Sequence, residues 1–286
     1  MLAIKHILFP VDFSERTCGA VPFVQAMATR FGAKITLMSV APPYWYAADP
    51  GVPMVVDVEE VRDQLKARLE SAFTDEFASF EPRRVVEIGD AAEELVRFAH
   101  NEDVDLIMMP THGYGPFRSL LLGSVTAKVL HDARCPVWTA AHIEGAPPIE
   151  HAACKNILCA VDATAKSERV MSWADEFVKA SGANLRVVNV VQGVGAWPAS
   201  QLDREFEEKL RADVRVHIEG MLHSVGVVAP ACVAVGDVAP AVAEEARQHA
   251  ADLVVIGRGS IHETLGRLRT QAYGIIRQAP CPVISV

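Results

Sequence analysis

The chain has 286 residues, half of them hydrophobic, and a formal net charge of −9, so it can bury a large core and most naturally divides into two domains of ordinary size. Its isoelectric point near 5.6 opposes the broad positive field that nonspecific nucleic-acid binding requires, and no nucleic-acid partner is expected. The apolar run in MLAIKHILFPVDFSE before Asp12 is too short for a secretory or membrane segment, which reads as a cytoplasmic protein with no membrane partner.

In chain order, a strand over 4–11 runs into Asp12, and a helix follows as far as Phe31 and Gly32. KITLMSV (34–40) is a second strand. APPYWYAADPGVPMVV (41–56) reads as a flap over a site or as a packing loop. Val61, Leu65, Leu69, Phe73 and Phe77 then form one apolar helical stripe, read as core. Strands are expected at 83–88, 104–109 and 136–140. Between the last two lies PTHGYGPFRSLLLGS (110–124), with three glycines in fifteen positions. A glycine-rich strand-to-helix turn suits either a phosphate cradle, where backbone N–H groups converge on an anion, or a loop that needs positive φ angles.

After AHIEGAPPIEHAA the pattern repeats. ILFPVDFSE (7–15) returns as ILCAVDATA (157–165), and KITLMSV returns as NLRVVNV. The segment IGDAAEELVRFAHNEDVDLIMMP returns as VGDVAPAVAEEARQHAADLVVIG, and ARCPVWTA returns as APCPVISV. The second stripe holds Leu202, Phe206, Leu210, Val214, Ile218 and Leu222. A repeat of about 146 residues means two copies of one domain, because solenoid repeats run at ~20–50. The expected boundaries are 1–143 and 152–286, with 144–151 as linker. Apolar strands alternating with helices call for a parallel sheet covered on both faces. Right-handed crossovers make each copy a doubly wound, Rossmann-like α/β domain whose ligands bind beyond the carboxyl ends of the strands.

Other chemistries find no support. There is no GxxxxGK[ST], no complete dinucleotide turn and no GxSxG elbow, and no nucleophile has a partner near the loop, so any ATPase activity should be slow. The six cysteines form no CxxC pair, and Cys154 and Cys159 with His142 and His151 match no zinc spacing. Cys159, inside an apolar strand, reads as a small hydrophobe.

PVDFS, the GD-helix-DL segment, the glycine loop and the closing CPV strand together resemble the universal stress protein family in its tandem form, over nearly the whole chain. The resemblance implies an adenine-nucleotide alpha hydrolase-like fold and an ATP-binding stress-response module. In ATP-binding members the loop reads G-x2-G-x9-G-[ST]; here Gly113 is its second glycine, Gly123 and Ser124 close it, and Pro110 replaces the first. The resemblance puts Pro10, Asp12 and Val40 at the nucleoside end and Gly113, Gly123, Ser124 and Val125 at the phosphates, with Asp12 as a candidate magnesium ligand. Asp12 also suits a helix N-cap, a reading its pairing with the loop weighs against. Asp162, Val190 and Gly257 keep the nucleoside end of the second copy, whereas Arg269 and Thr270 stand where Gly123 and Ser124 would, so ATP is expected in the first copy. The copies are expected to pair within the chain through the strands starting at Pro136 and Pro282. Homo-oligomers, and a nucleotide-independent protein acting by association, stay open.

Overall fold

The computed structural model describes residues 2–42, 57–111, 122–141, 152, 154–192, 201–258 and 267–286, with backbone alone at 201–204 and 267–270. The flap residues 43–56, the loop residues 112–121 with Gly113, and the linker 144–151 lie outside the described residues. Contacts divide the chain into two compact units, one mainly from residues 3–138 and one mainly from residues 153–286.

The first half holds β1 (His6–Pro10), α1 (Glu15–Phe31), β2 (Lys34–Ala41), α2 (Val58–Ser71), β3 (Arg83–Ile88), α3 (Ala91–Asn101), β4 (Leu106–Pro110), α4 (Ser124–Asp132) and β5 (Val137–Ala140). Its strand order is β3-β2-β1-β4-β5, and β1 pairs in parallel with both β2 and β4. Successive side chains on a strand point to opposite faces. All five residues of β4 and the first four of β1 are buried, so both faces of the sheet centre are covered.

The second half repeats this plan with β6 (Asn156–Val161), α5 (Ser167–Ser181), β7 (Asn184–Val191), α6 (Gln201–Ser224), β8 (Ala231–Val235), α7 (Val238–Gln248), β9 (Leu253–Ile256), α8 (Arg267–Gln278) and β10 (Val283–Ser285). The strand order is β8-β7-β6-β9-β10, with parallel pairing throughout. Each half is a doubly wound α/β sheet.

The repeated motifs have structural jobs. Asp105, ahead of β4, accepts the backbone N–H groups of Lys5 and His6 at 2.7 and 2.9 Å. Asp252 does the same for Lys155 and Asn156 at 2.8 and 2.9 Å. Each carboxylate thereby fixes the start of the central strand. The GD pair closes a turn: Gly89 N–H donates to Ala41 C=O at 2.9 Å, and Asp90 caps α3 by accepting Glu93 N–H at 3.0 Å. Lys128 on α4 bridges Asp90 and Glu93, tying the two helices together. Cys159 is fully buried in β6 and burial pushes its thiol up to about 12, so it stays protonated and packs as a small apolar group.

Two features of the apolar stripes differ from expectation. Helix α2 stops at Ser71, and Phe73 takes φ +52° in the turns that follow. Phe77 still reaches the core, where its ring meets those of Phe9 and Phe73. The apolar pattern thus marked burial correctly but not backbone type. In α6, Ile218 and Leu222 are buried, yet Phe206 is 63% exposed. A 24-residue helix is about 36 Å long, so one end of its stripe runs beyond the strands it covers.

Gly236 opens the second GD turn at φ +129°, a region that residues with a Cβ rarely adopt. Gly220 sits within α6 with open space where a Cβ would be. Gly236→Ala is expected to destabilise the second half by about 1–3 kcal/mol, and Gly220→Ala to stabilise it by up to about 1 kcal/mol. Urea unfolding of the two variants should move the midpoint in opposite directions.

Candidate functional site

Strand order reverses between β1 and β4, with β2 on one side of the pair and β5 on the other, and such a reversal leaves a crevice at the carboxyl ends of the strands. A cavity of about 920 Å³ opens there. Pro10, Asp12, Val40, Gly123, Ser124 and Val125 all line it. Six of the seven expected site residues, scattered over 116 positions of sequence, therefore meet in one crevice; the seventh, Gly113, lies outside the described residues.

Asp12 is held by a turn rather than serving as the helix cap. Ser14 caps α1 and accepts Thr17 N–H at 3.3 Å. Asp12 Oδ1 accepts Ser14 N–H at 3.0 Å and the Ser14 hydroxyl at 2.7 Å, and Thr17 Oγ1 also donates to it. No hydrogen bond from a described residue reaches Oδ2. Between Asp12 and the cap, Phe13 takes φ +60°, and the four residues between β1 and α1 turn the chain from strand into helix. The turn thus commits one carboxylate oxygen of a residue that lines the crevice.

Across the crevice, α4 starts at Ser124 with Gly123 as its cap, and a glycine cap has no side chain to accept from the first turn. The opening N–H groups of a helix have no partner within the helix and carry positive partial charge. Gly123 N–H donates to Thr111 C=O at 2.9 Å, and Thr126 Oγ1 donates to Pro110 C=O at 3.1 Å. These two bonds fix the helix start against the end of β4. Pro110, read from sequence as a departure from the loop pattern, is the buried last residue of β4, and its carbonyl does the anchoring.

Sequence reasoning missed Phe13, Gln64, Arg68, Leu122 and Thr126, which also line the cavity. The Arg68 guanidinium stacks 4.0 Å over the Phe13 ring, bringing α2 to the mouth. Thr126 could have been found from GSVT, where a hydroxyl two residues into a helix can reach back to the preceding strand; Arg68 had no signal, because a charged residue flanking an apolar helical stripe reads as part of the solvated face. Among the described residues, Asp12 and Arg68 are the titratable groups lining the cavity, and no group of three His, Cys, Asp or Glu side chains could hold a metal. The arrangement can hold a ligand between an acceptor and an anion-favouring helix start; the described residues supply no base and nucleophile pair.

With this geometry in hand, comparison with known proteins is direct. The pattern of the Universal stress protein family matches residues 3–140 and again 153–286. The chain belongs to this family. Universal stress protein MJ0577 of Methanocaldococcus jannaschii is 29% identical over 149 residues, covering 46% of this chain and 92% of that protein. A universal stress protein of Thermus aquaticus is 32% identical over 139 residues, 46% of this chain and 96% of the relative. The crystal structure of a universal stress protein from Archaeoglobus fulgidus matches with a TM-score of 0.69 at 20% identity, over 99% of this chain and 96% of that one. At that identity the likeness speaks for the fold alone. No helix among the described residues is long and apolar enough to cross a membrane.

The second half repeats the aspartate turn. Asp162 Oδ1 accepts Thr164 N–H at 3.1 Å and the hydroxyls of Thr164 and Ser167 at 2.7 Å each, and Ala163 takes φ +59°. Partial burial alone would raise the Asp162 pKa, but the bonds from Ser167 and Thr164 outweigh it and hold the carboxyl below its ordinary 3.8. A depressed folded-state pKa contributes stability that is present above the unfolded value and lost as pH falls through the folded value. Asp162→Asn should therefore lower stability near pH 7 and flatten the acid limb of the stability profile below about pH 4. Urea unfolding midpoints taken from pH 7 down to pH 3 measure both effects.

Proposed function

We propose that the first half binds ATP, with magnesium, and that the chain is a nucleotide-holding module of the stress response in the cytoplasm. The observation that carries this reading is a 920 Å³ cavity lined both by the start of α4 at Gly123 and by Asp12. That volume lies at the upper end of the ~300–1,000 Å³ common for ligand sites, roomy enough for a nucleoside with a polyphosphate. Gly123 has no side chain to block close approach of phosphate to the backbone, and the Ser124 and Val125 N–H groups are the donors available to it. Pro10 and Val40 flank the nucleoside end.

The described residues suit magnesium in the way it is usually held, by one carboxylate together with phosphate oxygens. Asp12 Oδ2 would be the protein ligand, and the ion would neutralise phosphate charge in a chain that is itself acidic. Gly113 belongs to the same proposal as the second glycine of the loop.

The reading includes two domains, 1–143 and 152–286, joined by 144–151, and pairing of the domains within one chain. A second reading, a protein acting by association without nucleotide, draws on Pro110, which removes an N–H from the loop pattern.

Isothermal titration with ATP and magnesium should show binding to the full chain. Gly123→Val should weaken it by on the order of a hundredfold, or about 2.8 kcal/mol. An affinity unchanged by this substitution would overturn the site, and no binding to the unmodified chain would favour the association reading.

A further inference from the structure

One wall distinguishes the first crevice from the second. Helix α2 gives Val61, Leu65 and Arg68 to the first cavity, at spacings of four and three that place them on one face of the helix. In the second half no described residue of α6 lines the smaller cavity of about 300 Å³. The α2 wall is apolar at Val61 and Leu65, both half-buried, and continues at the exposed Arg68 one turn on.

The aspartate turn explains why residue 13 takes a positive φ, but not why that residue is phenylalanine. Ala163 makes the equivalent turn at φ +59°, with Asp162 gathering the same kinds of hydrogen bond. A bulky side chain is disfavoured in that region of backbone, yet Phe13 stands there at φ +60°. The turn is complete without a ring, so the role of the ring lies in its contacts. One of them is Arg68, whose guanidinium carbon is 4.0 Å from the ring centroid, and both residues line the cavity.

Charge does not choose the occupant at this wall, because Asp12 and Arg68, the titratable groups lining the cavity among the described residues, have opposite signs. Shape does. A guanidinium is planar and stacks on aromatic faces, so one that lies flat on a ring has a second face to offer. Nucleobases stack on guanidinium planes as they do on aromatic rings. Such stacking discriminates by the area of the ring system, and a purine has two fused rings where a pyrimidine has one.

We propose that Arg68, held flat on Phe13, is the platform for the base of the nucleotide, and that it makes the first crevice prefer purine over pyrimidine nucleotides. The inference rests on the nucleotide reading of this crevice and adds to it the residue that selects the base. Val61 and Leu65 extend the same wall in apolar side chains, as a base requires and a phosphate does not. The second half, with Ala163 in place of the ring, has no such platform.

Isothermal titration of the full chain with ATP, and with CTP read by its displacement of ATP, tests this. The unmodified chain should prefer ATP to CTP by about tenfold. Arg68→Ala should weaken ATP by about tenfold and CTP by less, so that the preference narrows. Arg68→Lys keeps the charge without the plane and should behave like the alanine variant. Phe13→Ala, which places in this turn the residue that the second half carries there, should weaken ATP to a similar extent because the platform is no longer held. Far-ultraviolet circular dichroism checks that each variant is folded; Arg68 is exposed, so its variants test the site without endangering the core. Unchanged ATP affinity in Arg68→Ala, full affinity in Arg68→Lys, equal losses for ATP and CTP, or no preference for ATP in the unmodified chain would each overturn the platform. If Gly123→Val still weakened ATP in that event, the nucleotide reading would stand without it; absence of ATP binding to the unmodified chain would remove both.

Discussion

The reversal of strand order between β1 and β4 constrains everything at the candidate site. Each crossover must be right-handed, so the chain leaving β1 turns one way toward β2 and the chain leaving β4 turns the other way toward β5. Their connections cannot fill the space between them. The crevice is thus a consequence of topology, present in both halves because both have the same order. What the sequence adds is how each turn is finished: an aspartate whose first oxygen gathers the hydroxyls of the next helix, and a residue at φ near +60° that redirects the backbone. Phe13 and Ala163 adopt that conformation without being glycine, so the carboxylate network and the packing around it carry the strain.

The same frame then carries different rims. At the first-half crevice the positive end is backbone, an uncapped helix start beside Gly123. At the second α8 begins earlier, and Lys166 and Arg258 are among the residues that line the crevice. Backbone donors are fixed and need a ligand that comes close, while long cationic side chains reach out and occupy volume. The difference between 920 and 300 Å³ follows the same direction. Larger side chains contribute to it: Val238 stands where Ala91 does, and Gln271 where Val125 does. The two copies share what holds the sheet, as Asp105 and Asp252 show, and differ at the rims of their crevices.

Much of this was legible in the sequence because it depends on local periodicity. The strand expected at 34–40 matches β2 within a residue, since buried parallel strands read as continuous apolar runs between turn signals. The end of α2 was not legible: Phe73 and Phe77 continue the helical spacing, yet the backbone leaves the helix after Ser71, and burial through a turn looks the same in a pattern of apolar residues. Nor was the exposure of Phe206, which depends on how far a long helix overhangs its sheet. At the crevice, Asp12 and Gly123 were legible as a strand-end carboxylate and a glycine before a helix. The commitment of Asp12 Oδ1 to a turn was not, because it depends on the φ of Phe13. Arg68 came from a helix that no motif connects to the site.

The central claim is that, of two copies of one fold, the first holds the nucleotide. Native mass spectrometry of the full chain equilibrated with ATP and magnesium reads this directly as the number of nucleotides per chain. A single saturating adduct is the result expected from the 920 Å³ crevice of the first half. Two adducts filling in parallel over the same range of ATP concentration would contradict it.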